Sequence, residues 1–78
     1  MFLIDSGSTN NFINVNLVKV FNLFVYPMPN MKVMVADNKK IENVGKCHNV
    51  KLHMQEYNLE SDFFVVHLGG VDVVLGIQ

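Results

Sequence analysis

The sequence has little cysteine, little positive charge and no long apolar run near its start. Its one cysteine, Cys47, cannot form an internal disulfide, which is typical of proteins from a reducing compartment. Six basic residues against seven acidic ones give a net charge of −1, whereas a nucleic-acid surface requires a basic patch. The apolar residues 1–4 end at Asp5, too early for a signal peptide or a membrane span. We therefore expect a soluble, intracellular, cytoplasmic protein with no nucleic-acid or membrane partner.

The length limits the fold. With 78 residues the chain forms one domain at most, and a domain of this size buries only about 60% of the surface that its unfolded chain exposes. Half of the residues are hydrophobic, more than a small isolated domain readily buries. This surplus indicates burial against another subunit.

The first third of the chain predicts a strand, a loop and a helix. Apolar residues 2–4 lead into a polar stretch of turn-forming residues. Asn10 or Asn11 is the expected N-cap of the helix and Asn22 its left-handed exit, and Pro27 and Pro29 then predict an irregular connection. The helix itself is predicted from apolar residues at three- and four-residue spacing, which are Ile13, Leu17, Val20, Phe21 and Phe24.

The remainder of the chain predicts β-structure. Apolar residues flank Asp37 and Asn38, two residues that tolerate positive φ, which favours a hairpin. Residues 50–55 alternate between apolar and polar, as in a half-buried strand. Residues 63–66 are continuously apolar, so we expect that strand to be covered on both faces, and residues 71–75 form the last strand. One helix among about six strands predicts a small, mostly β domain.

Asp5-Ser6-Gly7 is the motif that carries chemistry. A carboxylate directly after an apolar strand is costly to bury, so its position needs a reason. An isolated Asp-Ser-Gly is most often an ordinary turn at a strand end. Here the motif lies between an apolar strand and a predicted helix, and a second apolar segment, residues 71–76, follows near the end of the sequence.

Three blocks of the sequence together resemble the retropepsins, the single-domain aspartic proteases of retroviruses and LTR retrotransposons. The blocks are residues 3–13, 33–38 and 68–78, and the likeness is greatest to the protease of plant Ty3/Gypsy-type elements. The resemblance implies a small, closed or partly open acid-protease barrel with one short helix after the catalytic loop. Residues 1–78 would then be a single retropepsin-like domain, which we expect to be truncated at both ends.

The implied activity is that of a homodimeric aspartic endopeptidase acting on a retroelement polyprotein. Asp5 and its symmetry mate would share one proton and activate a water molecule, with no metal, cofactor or covalent intermediate. Ser6, Gly7 and Ser8 would support the active-site loop. Asp72 is followed by Val73 and Val74 and not by a second Ser-Gly or Thr-Gly, which excludes a single-chain pepsin-like site and leaves Asp72 a structural role.

The resemblance also implies a substrate-binding flap and a second loop. Val35, Ala36, Asp37 and Asn38 correspond to the flap that closes over bound peptide, although an ordinary solvent-facing hairpin fits these residues equally well. The second loop consists of Val74, Leu75 and Gly76.

Other readings of the sequence remain. Cys47 and three histidines could suggest a metal, but the interval between His48 and His53 places them on opposite faces of a strand, so we expect no metal site. A second functional hypothesis is a catalytically inactive dimerisation or peptide-binding module on the same fold. A third is a small β domain with an accidental Asp-Ser-Gly.

Overall fold

A computed structural model of the protein describes residues 2–5, 9–34, 40–54 and 56–76. These ranges contain six strands in one open sheet and a single short helix, in agreement with the predicted mostly β class. The order of strands across the sheet is β1-β6-β2-β5-β4-β3. The elements are β1 (Phe2–Asp5), β2 (Phe12–Asn14), α1 (Val15–Phe21), β3 (Tyr26–Met34), β4 (Lys40–Met54), β5 (Tyr57–Val66) and β6 (Val73–Gly76).

The two ends of the described chain lie side by side in the sheet. Strand β1 pairs in parallel with β6, so that Phe2 is opposite Val73 and Asp5 is opposite Gly76. On its other side β6 is antiparallel to β2, and β2 is parallel to β5. The predicted catalytic residue therefore stands at the end of an edge strand, and its position depends on β6.

A long hairpin of β4 and β5 forms the other half of the sheet. Its outer part alternates as predicted, because Val50 and Leu52 are buried while Lys51 and His53 are exposed. The pairing register shifts between Cys47 and Val50, and within this irregularity Asn49 has a left-handed φ of 55°. Asparagine adopts this conformation more readily than most residues, which favours it at the bulge.

The core lies between the helix and the central strands. The expected double-sided burial of residues 63–66 is largely confirmed, since Phe63, Val65 and Val66 are fully buried and Phe64 is partly buried. Most of the remaining core comes from the helix, β2, β4 and β6, through Ile13, Val18, Cys47, Val50, Leu52 and Val73. Phe12 packs with Val66 in a second cluster.

The predicted boundaries of the helix were wrong at its start. Ile13 lies in β2, because the short segment Phe12–Asn14 finds strand partners in both β5 and β6 and buries its side chains there. The N-cap is consequently Asn14, not Asn10 or Asn11. The exit was predicted correctly, as Asn22 caps the helix with φ 54° and ψ 46°.

The predicted apolar stripe was also wrong in part, since Val18 is the buried residue of the helix and Val20, Phe21 and Phe24 are exposed.

The connection expected at Pro27 and Pro29 is instead a strand. Both prolines lie in β3, at the edge of the sheet, where a missing backbone N–H costs no ladder hydrogen bond on the open side. The register of β3 with β4 shifts between Pro27 and Met31. The close approach of β3 to β4 requires a glycine at position 45, because a Cβ there would lie 2.5 Å from the carbonyl oxygen of Tyr26 and would collide with the Val25 side chain.

The last strand starts slightly later than predicted, at Val73, because Gly69, Gly70 and Asp72 form bends. The strands that flank the predicted hairpin pair as expected, with Met34 opposite Lys40. Across the described ranges, none of the helical structure has the length and apolar character needed to cross a membrane.

Candidate active site

Asp5 is the last residue of β1 and is partly buried. An apolar tripeptide, residues 2–4, forms the strand that delivers it. Since β1 is an edge strand, β6 is its one neighbour in the sheet, and the pairing of Ile4 with Leu75 and of Asp5 with Gly76 fixes where the carboxylate leaves the sheet.

The structure brings together two groups of predicted site residues. Val74, Leu75 and Gly76, predicted as the second loop, belong to β6 and run alongside the strand that ends in Asp5. Of the other predicted residues, the loop-support group (Ser6, Gly7 and Ser8) and the flap group (Val35, Ala36, Asp37 and Asn38) lie outside the described residues. Their roles remain predictions.

A pocket of about 310 Å³ opens beside Asp5. Its lining is mostly apolar, and Asp5 is the one residue in it with an ionisable side chain. A carboxylate at the side of an apolar pocket suits a peptide substrate, since an apolar side chain can be held there next to the bond that reacts. The lining consists of Leu3, Ile4, Asp5, Leu68, Gly69, Val71 and Val74.

Asn11 links two strands near Asp5 through three hydrogen bonds. Its side-chain oxygen accepts a hydrogen bond from the backbone N–H of Gly76 at 2.9 Å. Its side-chain nitrogen donates to the hydroxyl of Ser61, also at 2.9 Å, and its carbonyl accepts from the N–H of Phe64 at 2.9 Å. One residue therefore joins β5 and β6 near the start of β2. From the sequence we predicted Asn11 only as a helix cap, and its position shortly after the Asp-Ser-Gly motif was the one signal for another role.

A smaller and more polar cleft adjoins Asn11. It measures about 230 Å³, and Lys46 lies over its aromatic residue, with Nζ 5.4 Å from the ring centre of Phe64. This arrangement is a cation–π contact, which holds the lysine stem against the sheet. The cleft is lined by Thr9, Asn10, Asn11, Lys46, Ser61, Asp62 and Phe64.

Two groups outside the Asp5 pocket, Asp62 and Cys47, have a pKa shifted from its usual value. The backbone N–H of Asn49 and the ring of His48 both lower the pKa of Asp62, with Nδ1 of His48 lying 3.3 Å from the Asp62 carboxylate. Burial raises the pKa of the Cys47 thiol, so this cysteine is a poor nucleophile. The residues that the structure describes contain no cluster of three or more His, Cys, Asp and Glu side chains suited to a metal ion.

The family model of the PEG10/RTL1 protease domain matches residues 1–78. No curated protein and no solved structure matches the sequence significantly.

Proposed function

The chain belongs to the PEG10/RTL1 protease domain family, a family of retropepsin-like aspartic proteases, and we propose that it forms one half of a homodimeric aspartic endopeptidase. Asp5 is the catalytic carboxylate in this proposal. The observation that carries it is the placement of Asp5 at the end of an apolar strand, beside Gly76 and at the side of an apolar pocket.

A second copy is needed because the sequence contains a single Asp-Ser-Gly. Aspartic protease chemistry requires two carboxylates, so the second has to come from a symmetry-related chain. The exposed apolar edge of the sheet supports such an association. Strand β1 lies at this edge with Phe2 and Leu3 exposed, and Ile4 is 70% exposed.

The proposed reaction is a general acid–base hydrolysis. Two carboxylates that share one site hold a single proton between them, because ionising both would place like charges in contact. The ionised Asp5 takes a proton from a water molecule as the water oxygen attacks the peptide carbonyl carbon. The protonated Asp5 of the second copy donates its hydrogen bond to the carbonyl oxygen. The second copy's Asp5 then transfers its proton to the amide nitrogen and the C–N bond breaks, giving a carboxylic acid and an amine. The two carboxyl groups again hold one proton, the one that Asp5 took from water.

The proposed substrate is an extended peptide with an apolar residue at the cleaved bond. The mostly apolar lining of the pocket beside Asp5 supports this preference. Residues 35–38 follow Met34 and precede Lys40, two residues that pair with each other, and this position supports their proposed role as a flap that adds main-chain hydrogen bonds to the peptide. The natural substrate would be a polyprotein of the retroelement type, cleaved in the cytoplasm, and the resemblance to Ty3/Gypsy-type elements supports this origin.

The direct test is sedimentation of the purified chain, measured together with cleavage of a peptide pool. We expect a dimer that cleaves peptides at mildly acidic pH and is inhibited by a statine-type transition-state mimic. Asp5→Asn retains the size of the side chain and removes the base, so it should abolish cleavage and leave the dimer intact. A strictly monomeric wild-type protein, or an Asp5→Asn variant that still cleaves, would refute the proposal.

The second candidate is a non-catalytic dimerisation or peptide-binding module. The exposed apolar edge at β1 favours it, because an unpaired strand edge can bind a second chain without any chemistry at Asp5. In that case self-association and peptide binding would be the same in the wild type and in Asp5→Asn, and neither protein would cleave.

A further inference from the structure

Asn14 makes more hydrogen bonds than a helix cap needs. Its side-chain oxygen accepts from the N–H of Asn16 at 3.2 Å, which is the capping interaction. Its side-chain nitrogen donates to two carbonyl oxygens, that of Leu68 at 2.6 Å and that of Val71 at 2.9 Å. Its backbone N–H donates to the carbonyl of Asp72 at 2.8 Å. The side chain is only 6% exposed, so these bonds are shielded from water.

The two carbonyls belong to the connection between β5 and β6. Between them lie Gly69 and Gly70, both exposed, and Gly70 has a left-handed φ of 73°. A Cβ built on either glycine would have no atom within 4 Å, so packing does not hold the tip of this connection. The hydrogen bonds from the Asn14 amide to the carbonyl oxygens of Leu68 and Val71 fix the position of the connection.

The same connection forms a wall of the pocket beside Asp5. Leu68, Gly69 and Val71 all line that pocket. Asn14 itself does not line the pocket and can affect it only through its hydrogen bonds to the connection. A change at Asn14 therefore alters the pocket through the connection and not by direct contact with a bound peptide.

We propose that Asn14 is a positioning residue that sets the shape of the apolar pocket beside Asp5, and thereby the preference for the substrate side chain held there. This inference rests on the proposed protease function. An asparagine side chain offers two N–H groups and one carbonyl oxygen, which matches the two acceptors and one donor around it. Serine can cap the helix but lacks a second donor, and aspartate can cap but has no donor at all.

The test compares Asn14→Ser with the wild type on two peptides that differ at the cleaved bond, one with a large apolar residue and one with alanine. Serine retains the helix cap and, with one O–H donor, can keep at most one of the two bonds to the wall. We expect the preference for the large residue to fall about fivefold or more, mainly through KM, because losing a single hydrogen bond is worth a change of about that size. The value of kcat should change much less.

Val50→Ala is the control for a general loss of stability. Val50 is a buried core residue of β4 that does not line the pocket beside Asp5. We expect Val50→Ala to lower the melting temperature and to leave the preference between the two peptides unchanged. If both variants change the preference equally, Asn14 has only a structural role and the inference is overturned.

Backbone NMR relaxation separates failure of this inference from failure of the proposed function, because it needs no cleavage. In Asn14→Ser we expect greater mobility of residues 69–72, while residues 73–76 of β6 remain as rigid as in the wild type. Unchanged mobility of the connection overturns the inference even in an active enzyme. If Asn14→Ser does not fold, the wild type still provides a test, since the side-chain NH₂ of Asn14 should be protected from hydrogen exchange and rapid exchange would contradict the inference.

Discussion

The backbone N–H of Gly76 donates a 2.9 Å hydrogen bond to the side-chain oxygen of Asn11. Gly76 is also the residue opposite Asp5 in the pairing of β1 with β6. Gly76, which lies beside the candidate catalytic carboxylate, is thus held both by its pairing with β1 and by the Asn11 side chain. The Asn11 side chain is in turn hydrogen-bonded to Ser61 of β5. The geometry of the site therefore depends on a group that takes no part in the chemistry.

The first prediction concerns Asn11. Asn11→Ala removes the acceptor of Gly76 and the donor to Ser61, and we expect it to lower the free energy of unfolding by about 1–3 kcal/mol, because partly buried groups lose their partners. Asn11→Asp retains an acceptor for Gly76 and should lose less stability. Urea unfolding measures both changes. Ser61→Ala removes the Asn11 contact together with a long 3.4 Å bond from the Ser61 hydroxyl to the carbonyl of Asp62, and leaves the bond to Gly76 in place. A loss there as large as in Asn11→Ala would contradict a contribution from the bond to Gly76.

The second prediction concerns Gly45. In Gly45→Ala the new Cβ would lie 2.5 Å from the carbonyl oxygen of Tyr26, a backbone atom that cannot move aside without displacing β3. We expect a loss of about 1–3 kcal/mol in the free energy of unfolding, as for other overpacked sites. Gly69→Ala is the matched control, because nothing lies within 4 Å of its added Cβ, and equal losses in the two variants would contradict the structure.

The third prediction concerns the docking of α1. Val18 is 4% exposed and Val20 is 75% exposed, although both are valines of the same helix. Val18→Ala should cost about 2 kcal/mol of folding stability, because it removes two buried methyl groups. Val20→Ala should change stability little and could raise it slightly, since alanine is the better helix former. Thermal unfolding of both variants checks this, and similar losses would place the wrong face of the helix on the core.

The fourth prediction concerns the dependence of stability on pH. The pKa of Asp62 is lowered from its ordinary value of 3.8, first by the Asn49 N–H and then by His48. A carboxyl group with a lowered pKa in the folded state contributes stability above its unfolded pKa, and this contribution is lost as the pH falls through its folded pKa. We expect Asp62→Asn to be less stable than the wild type near pH 6, with a difference that shrinks below pH 3.8. Urea midpoints across this range provide the measurement, and a difference independent of pH would contradict it.

The sequence was informative where one local pattern had one structural solution. The alternation of Val50 and Leu52 with Lys51 and His53 fits only a half-buried strand, and the structure has one there. Asn22 was recognisable as a helix exit because few residue types adopt a left-handed conformation. These features depend on neighbours in sequence, so a single sequence contains the necessary information.

Features that depend on distant partners could not be predicted. Ile13 has the spacing of a helix residue relative to Leu17, but pairing with β5 and β6 places it in a strand. Pro27 suggested irregular structure because nothing local reveals that β3 lies at an edge of the sheet. The roles of Asn11 and Asn14 rest on hydrogen bonds to residues fifty or more positions away, and asparagine side chains near a turn have many simpler uses.

The parallel pairing of β1 with β6 has a consequence for the order in which the protein folds. Phe2 pairs with Val73, so the strand that ends in Asp5 finds its partner only after β6 has been synthesised. Contacts between such distant residues form slowly, because the loop that they close costs entropy before the contact stabilises it. A nascent chain in which β6 has not yet formed therefore has no partner strand for β1, and Asp5 is not yet held where the folded protein places it.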